Sequence, residues 1–383
     1  MDIDLPWLLI SLPVAFALGW MASRFDLRQV RRDQRDAPRA YFKGLNLLLN
    51  EQQDKAIDAF IEAVQNDPDT AELHFALGNL FRRRGEFERA VRVHEHLLGR
   101  GDLKPVDRAR AQHALAQDFM KAGLFDRAEE AYRALDGSSF EAEARLALLT
   151  LHERARDWQR AAEVAESLQR AGQGSFSNRI AHHRCEQADQ AAQAGRLDEA
   201  LRHAAQAMAA APDAARPMVL TGQLLAQADR PGEALKAWDG LRRRQGSAFA
   251  LIAEAYAGAA QAAGQVDAAR QALTEHFDQF PGMELHRALC RLEADGDPAS
   301  AHRLLQLLRQ RPTLSAAQEL LDRPAPLAST EGLQGLRDAV AHAARPLQRY
   351  RCAACGFEAQ RYFWQCPGCL SWESYPPYRI EDQ

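Results

Sequence analysis

Apolar positions fall along the chain in three patterns. Residues 5–22, LPWLLISLPVAFALGWMA, form an 18-residue run without a charge, close to the roughly 20 that a membrane-spanning helix needs. From residue 37 to about residue 312, alanine-rich helix-forming stretches alternate with short turns. From Tyr350 onward that pattern gives way to a segment rich in cysteine and aromatic residues. The three patterns predict one membrane helix, a long array of paired helices and a small closing module.

Charge orients the first element. Asp2 and Asp4 precede the apolar run, whereas Arg24, Arg28, Arg31, Arg32, Arg35, Arg39 and Lys43 follow it against only Asp26, Asp33 and Asp36. Positive residues stay on the cytoplasmic side, so the N-terminus is expected in the periplasm and the bulk of the chain in the cytoplasm. Trp7 and Trp20 sit near the two ends, where amphipathic rings favour the interface, and Pro6 and Pro13 are expected to kink the helix. A cleaved secretory signal is the competing reading, and Ala15-Phe16-Ala17 supplies a small-x-small site. Such signals carry their positive charge before the apolar run, where this chain is acidic.

The middle region repeats. Turns of the type Gly-x-(aromatic or aliphatic)-x-x-Ala occur at Gly85 to Ala90, Gly123 to Ala128, Gly195 to Ala200 and Gly264 to Ala269, with degenerate copies ending at Ala56, Ala161, Ala234 and Ala301. Successive alanines are 34, 38, 33, 39, 34, 35 and 32 residues apart. In phase with them lie Gly44, Gly78 and Gly222 twelve residues before, Phe60, Tyr132 and Trp238 four after, and Pro68, Pro212 and Pro281 twelve after. Small residues let two helices approach, and proline stops the second helix. The pattern resembles the tetratricopeptide repeat, whose helix pairs stack into a superhelical solenoid with a concave binding surface. On that geometry Tyr41, Leu45 and Leu48 line the surface in the first repeat, and Phe75, Asn79, Arg82 and Arg83 in the second. Asn with Arg suits a carboxylate or a peptide backbone; an ordinary solvated helix face is the alternative.

The closing segment carries the chemistry. Cys352-Ala-Ala-Cys355-Gly and Cys366-Pro-Gly-Cys369 are two Cys-x-x-Cys turns separated by ten residues, room for a short hairpin that aims four thiolates at one metal ion, zinc or iron. Disulfides are the competing reading, disfavoured in a reducing cytoplasm. Both turns resemble rubredoxin knuckles, although Leu370 stands where a glycine normally follows the last cysteine. Tyr362, Phe363, Trp364 and Trp372 are expected either to dock the module on the repeats or to pack over the metal. His182, His183 and Cys185 cluster on one predicted helix, but one exposed turn with mixed ligands is more often coincidence than a metal site, and Cys290 reads as a small core residue.

Composition sets limits. Among 383 residues, 48 Lys and Arg against 52 Asp and Glu leave a net charge of −4, which argues against a polycationic nucleic-acid coat. Six cysteines, four of them in the last 32 residues, do not build a disulfide-rich secreted domain. No phosphate-binding Gly-rich loop, His-Glu-x-x-His or Gly-x-Ser-x-Gly is present, so a non-enzymatic role is expected. A zinc-ribbon nucleic-acid binder would need a basic face, for which Arg349, Arg351, Arg361 and Arg379 are the supply.

The expected organisation is an anchor at 1–23, a basic linker at 24–36, repeats at 37–313, a helical connector at 314–346 and a metal module at 347–383. This order resembles the lipopolysaccharide assembly protein B family of Gram-negative bacteria, most specifically from Tyr350 through Cys369 with Trp372 three residues on. The resemblance implies an inner-membrane adaptor. Such an adaptor promotes degradation of the lipid A-committing deacetylase LpxC by an FtsH-type membrane protease and gathers other envelope-synthesis proteins. It also implies metal ligation by Cys352, Cys355, Cys366 and Cys369, with the module packed on the repeats. A rubredoxin-like electron carrier scaffolded on repeats is the alternative.

Overall fold

The computed structural model describes residues 52–66, 70–294, 297–310, 313–322 and 340–382, with Phe16, Lys43, Gly44, Asn46, Leu47 and Asn50 as isolated positions. Most of the apolar run at 5–22, the basic linker, Tyr41, Leu45, Leu48 and Pro68 therefore lie outside the described residues. Among the described residues no helix is long and apolar enough to cross a membrane. The chain divides into two compact units, Met1–Arg154 and Ala155–Gln383.

In the first unit, helix Gln53–Asn66 is followed by the pairs Ala71–Arg84 with Phe87–Gly99 and Pro105–Ala122 with Phe125–Arg133, then by Glu141–Arg154. In the second, Trp158–Arg170 precedes the pairs Ser177–Gln193 with Leu197–Ala210 and Ala215–Gln227 with Pro231–Arg244. Two further pairs follow: Ala253–Ala262 with Val266–Gln279, and Met283–Leu292 with Pro298–Gln310. Helix Leu314–Leu321 comes next, residues 340–347 are helical, and the two-stranded antiparallel hairpin Tyr350–Arg351 with Glu358–Ala359 opens the final module.

The turns within pairs explain the glycine pattern. Gly85, Gly123, Gly195 and Gly264 adopt φ between 66° and 85°, the left-handed cap that ends a helix without a Cβ penalty. The next N–H then reaches back to the helix, as Glu86 does to the Phe81 carbonyl at 2.8 Å. In two degenerate copies a side-chain-bearing residue takes that place, Arg156 and Asp229, both at φ 56°. A left-handed non-glycine costs roughly 1–2 kcal/mol, partly offset by the entropy that glycine loses on folding. Arg156→Gly should therefore raise stability by about 0.5–1 kcal/mol in urea unfolding, whereas Arg156→Ala should give no gain.

Packing follows a size rule between each pair's helices. Seven of the eight register alanines, Ala56 through Ala269, are 2% exposed or less. Sixteen residues after each of Gly44, Gly78 and Gly222 stands a ring that occupies the missing side chain's space. A Cβ on Gly44 would meet Phe60 at 2.7 Å, on Gly78 His94 at 2.5 Å, and on Gly222 Trp238 at 2.1 Å. Where the second slot holds Tyr132 the first holds Ala116. The eighth copy breaks the rule with Leu289 and Leu305. Leu289 takes the interior, Leu305 is left 43% exposed, and Ala301 is only half-buried while Ser300 and Leu304 are buried. Two leucines do not share a space built for one large and one small residue, so helix Pro298–Gln310 presents a different face inward.

Candidate metal centre and its docking face

The four cysteines converge. The sulfurs of Cys352, Cys355, Cys366 and Cys369 all lie within 4.8 Å of one another, with Cys352 to Cys369 at 3.8 Å and Cys355 to Cys366 at 3.6 Å. A disulfide requires about 2.05 Å. A tetrahedral ion with metal–sulfur bonds of about 2.3 Å spaces its ligands about 3.8 Å apart, so the donor set and its dimensions fit one four-thiolate metal ion. Cys352 and Cys366 are buried at 1% and 0%, while Cys355 and Cys369 reach the surface.

Each knuckle closes in the same way. Gly356 N–H donates to the Cys352 carbonyl and Leu370 N–H to the Cys366 carbonyl, both at 2.8 Å, with Gly356 at φ 76° and Leu370 at φ 60°. Leu370 thus keeps the left-handed backbone of the glycine it replaces, and the departure from the rubredoxin pattern leaves the turn intact.

Four consecutive residues connect the metal site to the repeats. Trp372 stacks on His182 with ring centres 4.6 Å apart and planes at 14°, and meets His183 and Trp158 edge-on at 6.0 and 6.2 Å. Glu373, held at φ 51°, places a carboxylate oxygen 3.1 Å from His182 Nε2. Ser374 Oγ lies 3.2 Å from Cys352 Sγ, and the Tyr375 hydroxyl lies 3.8 Å from Cys366 Sγ. Trp364 also faces His182, at 6.1 Å. Arg216, 4% exposed, lies 5.9 Å from both the Trp364 and Trp372 ring centres while donating to Glu186 at 2.8 Å and Asp189 at 3.1 Å. Both readings of the aromatics therefore hold in part: Trp364 and Trp372 dock on the repeats, whereas Tyr362 and Phe363 pack around Tyr350, Cys352, Cys366 and Tyr375. A second tether runs through Glu381, which accepts from the Ser315 backbone N–H at 3.2 Å, and Arg379, 3.4 Å from Glu284.

The docking face has a pH sense. Burial pushes His182 below the ordinary imidazole value despite the facing Glu373, and the His182 contact holds Glu373 below the usual carboxylate range. Unfolded His182 takes up a proton near pH 6.5 that the docked residue resists, so its contribution is complete above that pH and is lost as pH falls. Glu373 acts in the same direction at lower pH. Asp382 opposes both, because burial raises it to about 6. The His182 contribution is therefore read as a difference: the gap in stability between wild type and His182→Asn should narrow as pH drops from 7.5 to 5.5.

Other expected positions fall differently. Phe75, expected on the concave surface, is 1% exposed and packs with Leu97 and Ala111, because helix Ala71–Arg84 touches both its partner Phe87–Gly99 and the following Pro105–Ala122. Arg82 is engaged by buried Asp118 at 2.9 Å, by Asn79 at 2.7 Å and by the Ala114 carbonyl at 3.1 Å. Asp118 also binds His94 at 2.5 Å. Arg83 is exposed and Asn79 half-exposed. Of the arginines near the knuckles, Arg351 and Arg349 face Glu358 at 2.8 and 3.8 Å, which removes much of the basic face a nucleic acid would need.

Fold and site define a tetratricopeptide-repeat protein that carries a C-terminal rubredoxin-type four-cysteine metal module. Residues 350–376 match the rubredoxin metal binding domain, and residues 73–109 and 113–176 match tetratricopeptide repeats. Lipopolysaccharide assembly protein B of Escherichia coli is 34% identical over 97% of this chain and 98% of its own length. The protein of that name from Haemophilus influenzae is 29% identical over 97% of each. A solved tetratricopeptide repeat protein from Parabacteroides merdae aligns at 14% identity and a TM-score of 0.34, over 67% of this chain and 99% of its own. The chain belongs to the lipopolysaccharide assembly protein B family.

Proposed function

We propose that this protein is an inner-membrane adaptor that regulates lipopolysaccharide synthesis by presenting the LpxC deacetylase to an FtsH-type membrane protease. The observation that carries the reading is similarity along the whole chain, 97% of it, to proteins named for lipopolysaccharide assembly. It is supported by a scaffold of helix pairs and by a metal centre whose ligand positions are all thiolates, with no open position for catalysis. The apolar run at 5–22 and the basic residues after it supply the anchor and its cytoplasm-facing orientation.

The mechanism is proximity. The anchor holds the repeats beside the protease while the repeats hold the substrate, which replaces a bimolecular encounter with an effective concentration in the millimolar range or about that. Asn79, Arg82 and Arg83 are the groove residues proposed to meet a partner; Arg83 is the exposed one, whereas Arg82 is held by Asp118 and Asn79. Deleting residues 1–23 should abolish regulation while leaving the remaining protein folded. A truncated form that still lowers deacetylase levels at native abundance would exclude tethering.

A rubredoxin-like electron carrier is the second reading, favoured by the exposure of Cys355 and Cys369, which gives electrons a short path to solvent. Reversibly reducible iron in the purified protein would support it. Stoichiometric zinc, which has no accessible redox change, would eliminate it.

A further inference from the structure

Cys290 is not the inert core residue its sequence context suggests. It is half-buried on helix Met283–Leu292, with His286 Nε2 3.4 Å from its sulfur and Arg303 Nη2 donating to it from helix Pro298–Gln310 at 3.9 Å. His286, fully buried, is in turn 3.1 Å from a carboxylate oxygen of Glu319 on helix Leu314–Leu321, and Arg287 faces the same carboxylate at 3.3 Å. Glu293 holds the Arg303 guanidinium from the other side. Three helices and Glu293 thus bring one sulfur, one imidazole, two guanidiniums and two carboxylates together: His286 Nε2 faces both the Cys290 sulfur and Glu319, and Arg303 bonds both the sulfur and Glu293.

We propose that Cys290 is a redox-reactive thiolate, a site of oxidation by hydroperoxides that is separate from the metal centre. Positive partners stabilise a thiolate and half-burial leaves the sulfur reachable, the two conditions for a reactive cysteine. Burial alone would push the Cys290 thiol up, but His286 and Arg303 outweigh it and hold it below the ordinary value; burial likewise opposes charging of His286, and Cys290 with Glu319 outweighs that. The step balances without another reductant. The Cys290 thiolate attacks one peroxide oxygen, the S–O bond forms as the O–O bond breaks, and the departing hydroxide takes the proton of the His286 imidazolium. The products are a sulfenic acid, neutral His286 and water; sulfur is oxidised by two electrons and the peroxide reduced by two.

Cys185 is the internal control. It is 0% exposed on helix Ser177–Gln193, and burial drives its thiol up to about 12. The test uses the full-length, metal-loaded protein treated with hydrogen peroxide and dimedone, with adducts mapped residue by residue so that the metal cysteines are scored separately. Cys290 should carry the adduct and Cys185 should not. The midpoint of Cys290 labelling by iodoacetamide should fall below the ordinary thiol value of about 8.5, and His286→Gln should slow labelling at pH 7 about tenfold. Labelling of Cys290 no faster than of Cys185, or a wild-type midpoint at or above the ordinary value, would overturn the proposal, and that midpoint needs no variant to fold.

Discussion

Replacing Cys352 or Cys366 with Ser should release the metal ion and undock the C-terminal module from the repeats together. Structural four-ligand sites contribute about 10–16 kcal/mol, so each thiolate is worth about 3 kcal/mol, more than a hundredfold in affinity. The loss spreads because Ser374, hydrogen-bonded to Cys352 Sγ, follows Glu373 and Trp372, which hold His182. A module this small has little apolar core beyond Tyr350, Tyr375 and the two buried cysteines, so without metal it has no independent reason to keep Trp372 in place. Metal analysis should show the ion gone. Tryptophan emission should shift to the red as Trp372 and Trp364 meet water, while far-ultraviolet dichroism keeps the helical signal. Cys290→Ser should retain the metal; full metal content in both knuckle variants would refute the site.

Gly222→Ala should destabilise the second unit by about 3 kcal/mol. The added methyl would sit 2.1 Å from Trp238 Nε1 and 2.3 Å from Cε2, on a ring that is 1% exposed and donates to the Val219 carbonyl at 3.1 Å. Moving the ring costs roughly 1–3 kcal/mol of overpacking and a similar amount for the broken hydrogen bond, against about 1 kcal/mol gained in helix propensity. Trp238→Leu in the same chain should recover about 2 kcal/mol of that loss, since the two positions share one space. Gly240→Ala meets no atom within 4 Å and should instead stabilise by up to about 1 kcal/mol. Urea unfolding followed by far-ultraviolet dichroism distinguishes these cases, and an unchanged midpoint for Gly222→Ala would contradict the size rule.

What could be read ahead of the fold was whatever depends on spacing within one helix pair. The alanine register, the glycine caps and the four thiolates all rest on local geometry, and local geometry repeats. His94 escaped notice as the ring opposite Gly78 because the slot was expected to hold Phe, Tyr or Trp, although an imidazole fills the same space and also reaches Asp118. Phe75 was misplaced because a first helix buries two faces, one against its own partner and one against the next repeat, and only the first is visible in the periodicity. The docking face was invisible for another reason. His182, His183 and Arg216 meet Trp364 and Trp372 across 148 to 190 residues of sequence, and the one local sign was the pair of adjacent histidines. Cys290 acquires its partners from three helices, so its neighbours in sequence, Leu289 and Leu292, said only that a core was near.

In-cell crosslinking of the full-length protein at native abundance, followed by membrane extraction and identification of everything that co-purifies, tests the adaptor account most directly. The account predicts the membrane protease and the lipid A-committing deacetylase together in one crosslinked complex, with the deacetylase lost from it when Arg83 is replaced by Glu. Recovery of oxidoreductases with neither of those two proteins would contradict it and would make the four-cysteine centre an electron-transfer site.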